Sequence, residues 1–235
     1  MSDHPPQDRT PLAVVTGGSR GFGLEVVLVL LDKGWDVVTI ARKRSPKLDR
    51  MPHVTQIQGD IGIMELSELK GAVGDRPIDL LVNNAGVGGT GLQLESLARE
   101  ELESAFSVNV LGPARVTGSL LPNLVRGERP LVVNISSRLA SLNRQAAGEY
   151  GHIPTSYAYR ITKAAQNMLS VCMAAEFGDA VRVWAVHPGR LRTAMAGADA
   201  DGDPAAAAKH LVSLVEQDSE TELTYIALDE GPLPW

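Results

Sequence analysis

The sequence predicts a doubly wound α/β fold, in which one parallel β-sheet lies between two layers of helices. Short apolar runs alternate with longer segments of helical periodicity along most of the chain. The apolar runs are continuous, which is typical of parallel strands buried on both faces. Because strands and helices alternate regularly, we expect right-handed crossovers and a three-layer α/β/α arrangement. The sequence contains no proline-rich linker, low-complexity tract or internal repeat, which favours a single domain.

Individual elements can be placed from this pattern. Core strands are expected at Leu12–Val15, Val37–Ile40, Leu80–Val82, Leu131–Ile135 and Val181–Val186, with weaker candidates at Val54–Gln58 and Leu223–Leu228. Helices are expected at about 21–33, 64–72, 96–125, 155–177 and 204–217.

The segments outside these elements include the N-terminal residues 1–10 and two long connections. Residues 1–10 are polar and contain prolines, so we expect a disordered tail before a domain that spans residues 11–235. The connections at about 138–155 and 189–203 follow predicted strand carboxyl ends, the edge where ligands bind in such sheets. We therefore expect both to be loops that border a substrate.

Composition excludes several classes of function. The chain has 235 residues, and 22 Lys+Arg against 28 Asp+Glu give a net charge of −6. This balance argues against a nucleic-acid or anionic-membrane partner, and no apolar run approaches the ~18 residues of a membrane span. Cys172 is the only cysteine and is expected to be buried, and the five histidines lack ligand spacing, so no metal site is expected. The start lacks a secretory signal, which predicts a cytoplasmic protein.

The first predicted strand ends in a glycine-rich turn, Thr16–Gly23, followed by a helical pattern. Gly17, Gly21 and Gly23 give the spacing G-x-x-x-G-x-G, whereas Val26 breaks the commoner G-x-G-x-x-G. Glycines allow the backbone to approach a pyrophosphate closely, and free N–H groups at a helix start attract the anion. The pattern favours a Rossmann-type dinucleotide site, with a plain strand-to-helix turn as the alternative.

The end of the second predicted strand indicates which dinucleotide is bound. Ala41 occupies the place where an NAD site needs a carboxylate for the ribose 2′-hydroxyl. The run Arg42-Lys43-Arg44 follows, and such cations suit the 2′-phosphate of NADP(H), which Arg20 in the glycine turn could also approach. The alternative is a solvated basic loop.

Taken in order, these motifs and those that follow them resemble the short-chain dehydrogenase/reductase family in its single-domain form. The matching pieces occur in order: Thr16–Gly23, Asp60, Asn83-Asn84-Ala85-Gly86, Asn109, Ser136-Ser137, Tyr159 with Lys163, and Pro188-Gly189 with Thr193. The ending, from Tyr225 to Trp235, is similar to the C-factor and sniffer-type carbonyl reductase branch. The resemblance implies hydride transfer between NADP(H) and a small-molecule carbonyl or alcohol, without a metal.

The resemblance also implies a set of cofactor contacts. It assigns them to Gly17, Ser19, Arg20, Gly21, Phe22, Gly23, Arg42, Lys43, Asp60, Ile61, Asn83, Ala85, Gly86, Tyr159, Lys163, Pro188, Gly189 and Thr193. Asp60 would contact the adenine, and the loop after Pro188 would border the nicotinamide. Family members often associate as homodimers or homotetramers through the helices that correspond to 96–125 and 155–177, and packing of these helices in the core is the alternative.

Tyr159 and Lys163 suit the proton transfer that carbonyl reduction requires. A phenol has a pKa of ~10, and a nearby cation stabilises the phenolate and lowers that pKa. A lysine four residues after a tyrosine lies on the same helix face, with Cβ atoms about 5–6 Å apart. Tyr150 and Tyr157 lack such a lysine. The alternative is an ordinary amphipathic helix pair.

Two further catalytic roles rest on the resemblance. Ser137 would polarise the substrate carbonyl, because Ser136 should point to the other face of its strand. Ser136 is the alternative for this role. Asn109 lies inside the predicted helix 96–125, where asparagine is a poor helix former. It could mark a kink that holds a water next to Lys163, or it could cap a broken helix.

One departure from the family pattern and one alternative function stay open. The gap of 22 residues between Ser137 and Tyr159 is longer than usual, and the extra segment, about 142–154, could wall the substrate pocket or form a surface loop. The chain could instead be a dinucleotide-binding regulatory or signalling protein with incidental catalysis. The intact set of Ser137, Tyr159 and Lys163 favours chemistry.

Overall fold

The computed structural model describes residues 9–193, 200–217 and 223–235. Its strands within those ranges are β1 (Leu12–Thr16), β2 (Asp36–Ala41), β3 (Val54–Gln58), β4 (Leu80–Asn83), β5 (Leu131–Ile135), β6 (Arg182–His187), β7 (Leu223–Ala227) and β8 (Gly231–Pro232). They form one sheet in the order β3-β2-β1-β4-β5-β6-β7-β8. All neighbours are parallel except the antiparallel pair β7–β8. The predicted doubly wound, Rossmann-type α/β fold is therefore confirmed.

Helices cover both faces of this sheet. They are α1 (Gly21–Asp32), α2 (Ser67–Val73), α3 (Arg99–Phe106), α4 (Gly112–Leu124), α5 (Leu142–Ala146), α6 (Tyr157–Phe177) and α7 (Pro204–Glu216). In β1, Ala13 and Val15 face a cluster that includes α1 and α7, while Leu12 and Val14 face a cluster with α2, α4 and α6. Alternate side chains of a strand point to opposite faces, so continuous burial gives two separate cores.

Two predicted elements differ from the structure. The helix expected at 96–125 begins at Arg99, and a π-helical segment, Ser107–Leu111, separates α3 from α4. The loop expected at 138–155 instead contains a 3₁₀ turn, Arg138–Ala140, and helix α5. Helix α5 forms because the Ser141 side chain caps it, accepting a hydrogen bond from the Arg144 amide over 3.2 Å. The short strand β8 was not predicted.

The expected tail 1–10 and the expected loop 189–203 are described only in part. Residues 1–8 of the expected tail and 194–199 of the expected loop 189–203 lie outside the described residues. Arg9, near the end of the expected tail, donates to both carboxylate oxygens of Asp79 over 2.8 and 2.5 Å. In the loop 189–203, Leu191 pairs with Gly202 as a β-bridge.

The prediction that Cys172 is buried is wrong. The thiol side chain is exposed, whereas its neighbour Met173 on α6 packs into the core. Adjacent helix positions differ in direction by about 100°, so only one of the two can face the sheet. Across the described ranges, we find no helix long and apolar enough to cross a membrane, and no cluster of three metal-ligating side chains.

Candidate active site

The glycine turn after β1 is a backbone site for an anion. Gly17 and Gly21 adopt left-handed φ angles of 71° and 55°, which favour glycine. Helix α1 begins at Gly21 after the extended residue Arg20, and neither a side-chain cap nor an acidic residue occupies its first turn. The first N–H groups of α1 are thus left for a ligand, and the helix dipole favours a negative charge there.

Packing around the turn shows why it needs glycine. A Cβ on Gly18 would lie 2.2 Å from Oγ1 of Thr39, and a Cβ on Gly23 would lie 2.2 Å from Nδ2 of Asn84. The Asn84 amide donates to the carbonyl oxygens of Thr16 and Gly17 over 2.9 and 3.2 Å. The turn therefore lies tightly against the end of β4 and presents backbone on its open side. These residues fit the pyrophosphate of a dinucleotide.

The cations that follow β2 are not equivalent. Arg42 and Lys43 are exposed, and neither forms an ion pair with another described residue. Arg44 differs, because it pairs with Asp49 over 3.0 Å and also donates to the Gln56 carbonyl. Arg20 is exposed at the neighbouring strand end, since β1 and β2 pair side by side. Arg42, Lys43 and Arg20 therefore lie exposed near two adjacent strand ends, while Arg44 is engaged with Asp49 and Gln56.

Three residues assigned to the cofactor do not offer their side chains to a ligand. Phe22 and Ile61 pack into the two apolar cores. The buried Asn83 donates to Thr117 Oγ1 over 3.1 Å and to Asn134 Oδ1 over 2.9 Å. For these residues, contact with a dinucleotide is limited to the backbone.

Other assigned residues line the edge of the sheet. Ser19 is half-buried within the glycine turn. Asp60 follows β3, and its Oδ1 accepts a hydrogen bond from the Gly62 amide over 2.9 Å. Ala85 donates its amide to Thr16 Oγ1 over 3.0 Å, which ties the segment after β4 to β1.

The segment after β6 reaches back to the glycine turn. Pro188 is half-buried, and Gly189 has a φ of 96°. Thr193 lies against the start of α1, because a Cβ on Gly21 would be 3.3 Å from Thr193 Cγ2. This contact brings the expected nicotinamide border, Pro188, Gly189 and Thr193, to the same edge as the anion site.

Helix α6 and the end of β5 bring Tyr159 and Ser137 together. Ser156 caps α6, its Oγ accepting a hydrogen bond from the Tyr159 amide over 3.2 Å. The Tyr159 phenol hydrogen-bonds with the Ser137 side chain, which lowers the phenol pKa, but the larger effect of burial raises that pKa above its usual value. Ser136 points the other way, donating to Asn167 Oδ1 over 2.5 Å. Ser137 is therefore the serine that faces Tyr159.

Lys163 lies one turn after Tyr159 and is almost fully buried. Its Nζ donates to the Ile135 carbonyl oxygen over 2.6 Å and to Gln166 Oε1 over 2.9 Å, and lies 5.9 Å from the centre of the Tyr159 ring. Burial lowers the pKa of Lys163 to about 7. The lowered pKa expected for Tyr159 is not found, because burial raises the phenol pKa more than the Ser137 side chain lowers it.

Asn109 occupies the middle of the π-helical segment that interrupts the predicted helix 96–125. Its Oδ1 accepts from the Val87 amide, and its Nδ2 donates to the Val87 carbonyl and to Thr162 Oγ1, each over 2.9 Å. The side chain thus does not cap a broken helix but fixes the segment after β4 to α6. On that segment, a Cβ on Gly86 would lie 3.6 Å from Lys163 Nζ.

The sequence did not predict the residues that contact the backbone of Ser137 and the side chain of Arg138. Tyr225 on β7 hydrogen-bonds to the Ser137 carbonyl oxygen. Arg138, next in the chain, donates to His187 Nε2 over 2.8 Å and pairs with Asp229 and Glu230. No local pattern signals these contacts, because they join residues that are distant in the sequence.

The segment 142–154 is fixed at both ends. Arg144 pairs with Glu230 Oε2 over 2.8 Å, and Arg160 on α6 donates to Gln145 Oε1 and to the Ile153 carbonyl, each over 2.7 Å. These contacts join the segment to α6 and to the chain that follows β7.

Comparison with known proteins finds one matching family and several similar proteins. The family described as short chain dehydrogenase matches residues 11–203. The C-signal protein of Myxococcus xanthus is 38% identical over 125 residues, which cover 53% of this chain and 72% of that protein. Carbonyl reductase [NADPH] 2 of Sus scrofa is 32% identical over 203 residues, covering 84% and 78% of the two chains. A carbonyl reductase from Pseudomonas aeruginosa PAO1, solved in complex with NADP, superposes with a TM-score of 0.81 at 27% identity, covering 97% of this chain and all of that one.

Proposed function

Because the chain belongs to the short-chain dehydrogenase/reductase family, we propose that it is an NADPH-dependent ketoreductase with Tyr159 as general acid and base. The chain is thus an oxidoreductase of the carbonyl-reductase type, and its substrate is a small-molecule carbonyl or alcohol. The observation that carries the proposal is the convergence of Tyr159, Ser137 and Lys163 beside the anion site at one edge of the sheet. Similarity to reductases named for NADPH or solved with NADP supports the choice of cofactor.

Different residues would hold different parts of NADP(H). The amides after Arg20 suit the pyrophosphate, Arg42 and Lys43 the 2′-phosphate, and Asp60 the adenine. Lys163 would donate to the nicotinamide ribose through the N–H that Ile135 and Gln166 leave free. When bound, the cofactor supplies or accepts the hydride.

Ser137 and Tyr159 have different roles at the substrate oxygen. Ser137 donates a hydrogen bond to the carbonyl oxygen, which polarises the carbonyl and orients it. Tyr159 donates the phenol proton to that oxygen as the carbon is reduced, and it accepts a proton in the reverse direction. Burial raises the phenol pKa, so Tyr159 is protonated at neutral pH, the state that reduction requires.

Two remaining aspects of this function are also proposals. Association as a homodimer or homotetramer is supported by exposed apolar side chains on α6, where Ile161 is 40% and Met168 60% exposed. Residues 142–154 would wall the substrate pocket, which is supported by their bonds to α6. The cytoplasmic location stays a prediction from the sequence.

A screen of ketones and aldehydes, followed by NADPH absorbance, tests the proposed function. Tyr159→Phe should lower kcat at least about 100-fold, because it removes the proton donor. Its NADPH affinity, measured by fluorescence titration, should change less than about twofold. Tyr157→Phe is the matched control, since Tyr157 is on the same helix, is 39% exposed and has no lysine one turn later.

The alternative, a regulatory dinucleotide-binding protein, gives a different result in the same screen. It would bind NADPH tightly and turn over none of the carbonyls, and Tyr159→Phe would then have no kinetic effect. Substantial turnover that persists in Tyr159→Phe would instead exclude Tyr159 as the proton donor.

A further inference from the structure

Gln166 is a buried amide beside the proposed catalytic lysine. It lies on α6 three residues after Lys163, and its side chain is fully buried. Oε1 accepts a hydrogen bond from Lys163 Nζ over 2.9 Å. An ammonium group can only donate, so the amide must present its oxygen to it.

The other end of this amide has no hydrogen-bond partner. Among the described residues, none lies within hydrogen-bond reach of the buried Gln166 Nε2. A buried donor without a partner destabilises a fold, and an apolar side chain of similar size would avoid that cost. Stability alone therefore does not explain a glutamine at this position. Its side chain forms one hydrogen bond with the described part of the chain, and that bond is to Lys163.

We propose that Gln166 is a positioning residue whose side-chain carbonyl holds the Lys163 ammonium in place for catalysis. This inference rests on the proposed function. Together with the Ile135 carbonyl oxygen at 2.6 Å, Gln166 occupies two of the three N–H groups of Nζ. Gly86 borders Nζ without a side chain, since a Cβ there would lie 3.6 Å away. The third N–H is thus directed by the first two, and the glycine leaves room beside it.

The surroundings of Lys163 make Gln166 important for its charge. Within the ranges that the structure describes, the titratable groups that face Nζ are Tyr159 on the same helix and His187 on β6. Burial and the nearby Arg138 lower the pKa of His187 to about 3, so its imidazole is neutral. Asn109 from the π-helical segment and Ser137 after β5 are neutral. The charged form of Lys163 therefore depends on the two carbonyl acceptors, of which only Gln166 can be removed by substitution.

Direct titration of Lys163 tests this proposal without a substrate. The chain has six lysines, at positions 33, 43, 47, 70, 163 and 209, so [ε-¹³C]lysine labelling of the full chain gives few NMR signals, and Lys163→Met identifies that of Lys163. Gln166→Leu should lower the pKa of Lys163 by about one unit, because a hydrogen bond to the charged form is lost. Gln166→Glu should raise it, because a carboxylate favours the ammonium.

Controls separate positioning from a purely structural role. Ser170→Ala changes another fully buried polar residue of α6, one turn further along, and should leave the pKa of Lys163 unchanged. For a ketone found in the screen, the pH profile of kcat should move to lower pH in Gln166→Leu and to higher pH in Gln166→Glu. A structural role would reduce stability in both variants and move neither profile.

The outcomes distinguish this inference from the proposed function. An unchanged Lys163 pKa in Gln166→Leu overturns the inference, even if the wild-type protein reduces ketones. Absence of any turnover overturns the proposed function, while the NMR titration still measures the Gln166–Lys163 interaction. If Gln166→Glu does not fold, Gln166→Met replaces it: it lacks a strong acceptor and should lower the pKa as Gln166→Leu does.

Discussion

The hydroxyl of Tyr225 lies 2.5 Å from the backbone carbonyl oxygen of Ser137 and donates to it, although 88 positions separate the two residues. The tyrosine ring is buried and packs against Trp235, with ring centres 5.1 Å apart. Ser137 also hydrogen-bonds with the Tyr159 phenol through its side chain. Strand β7 thus holds the backbone of the serine whose hydroxyl is proposed to bind the substrate.

Tyr225→Phe should therefore reduce catalysis more than substrate binding. The substitution keeps the ring and removes one of the two hydrogen bonds that the Ser137 carbonyl oxygen accepts, since the Ala140 amide still donates to it over 2.9 Å. The loss of this bond costs about 0.5–1.5 kcal/mol of stability. We expect kcat to fall by about tenfold with KM nearly constant, because the hydroxyl of Ser137 loses its fixed orientation. Steady-state kinetics and chemical unfolding measure the two effects. A destabilised variant with normal kcat would show that this bond serves the fold alone.

Much of the fold could be predicted because its causes are local. Continuous apolar runs in parallel strands and the glycine spacing Gly17, Gly21 and Gly23 are visible in single segments. The contact between Tyr225 and Ser137 could not be predicted, because it depends on the register of distant strands. The helix α5 within the predicted loop was missed for a different reason: its five residues are too few for helical periodicity to show.

The pKa shifts of Tyr159 and Lys163 could not be predicted from the sequence either. The spacing of Tyr159 and Lys163 correctly places them one turn apart on α6. It does not give the depth of burial, which raises the phenol pKa and lowers that of the lysine to about 7. Nor does it show that the lysine is held by acceptors, although Gln166, on the same helix face, was a signal that the sequence contained.

The preference for NADPH should depend on Arg42 and not on Arg44. The double variant Ala41→Asp with Arg42→Ala removes a phosphate-binding cation and places a carboxylate where a ribose 2′-hydroxyl would lie. We expect the NADPH/NADH ratio of kcat/KM to fall by about 100-fold or more, since charged contacts of about 1.5–3 kcal/mol are lost and a repulsion is added.

Arg44→Ala is the matched control for this prediction. Arg44 is in the same run of cations, but it pairs with Asp49 and donates to the Gln56 carbonyl. Its removal should leave the NADPH/NADH ratio within about twofold. If Arg44→Ala lowered the ratio as strongly as the double variant, the 2′-phosphate would be held by the general positive field of the loop.

His187 should make the fold sensitive to acid. The side chain is buried at the end of β6, and burial, together with the neighbouring Arg138, lowers its pKa to about 3. In the unfolded chain the imidazole has a pKa of ~6.5, so between these values the unfolded state binds a proton that the native state does not. The free energy of unfolding therefore falls as the pH decreases from about 6.5 toward 3, by up to about 1.4 kcal/mol per pH unit from this residue.

The variant His187→Gln isolates that contribution. A glutamine oxygen can accept the hydrogen bond that Arg138 Nε now donates to His187 Nε2 over 2.8 Å, and it does not titrate. Urea unfolding of both proteins should be followed from pH 7.5 to 4.5. As the pH falls, the free energy of unfolding should decrease less for the variant than for the wild type. The other titrating groups are the same in both proteins, so their contributions cancel in the difference. Parallel curves across that range would mean that the imidazole is hydrated or already protonated in the native state, and that the contact with Arg138 does not keep it neutral.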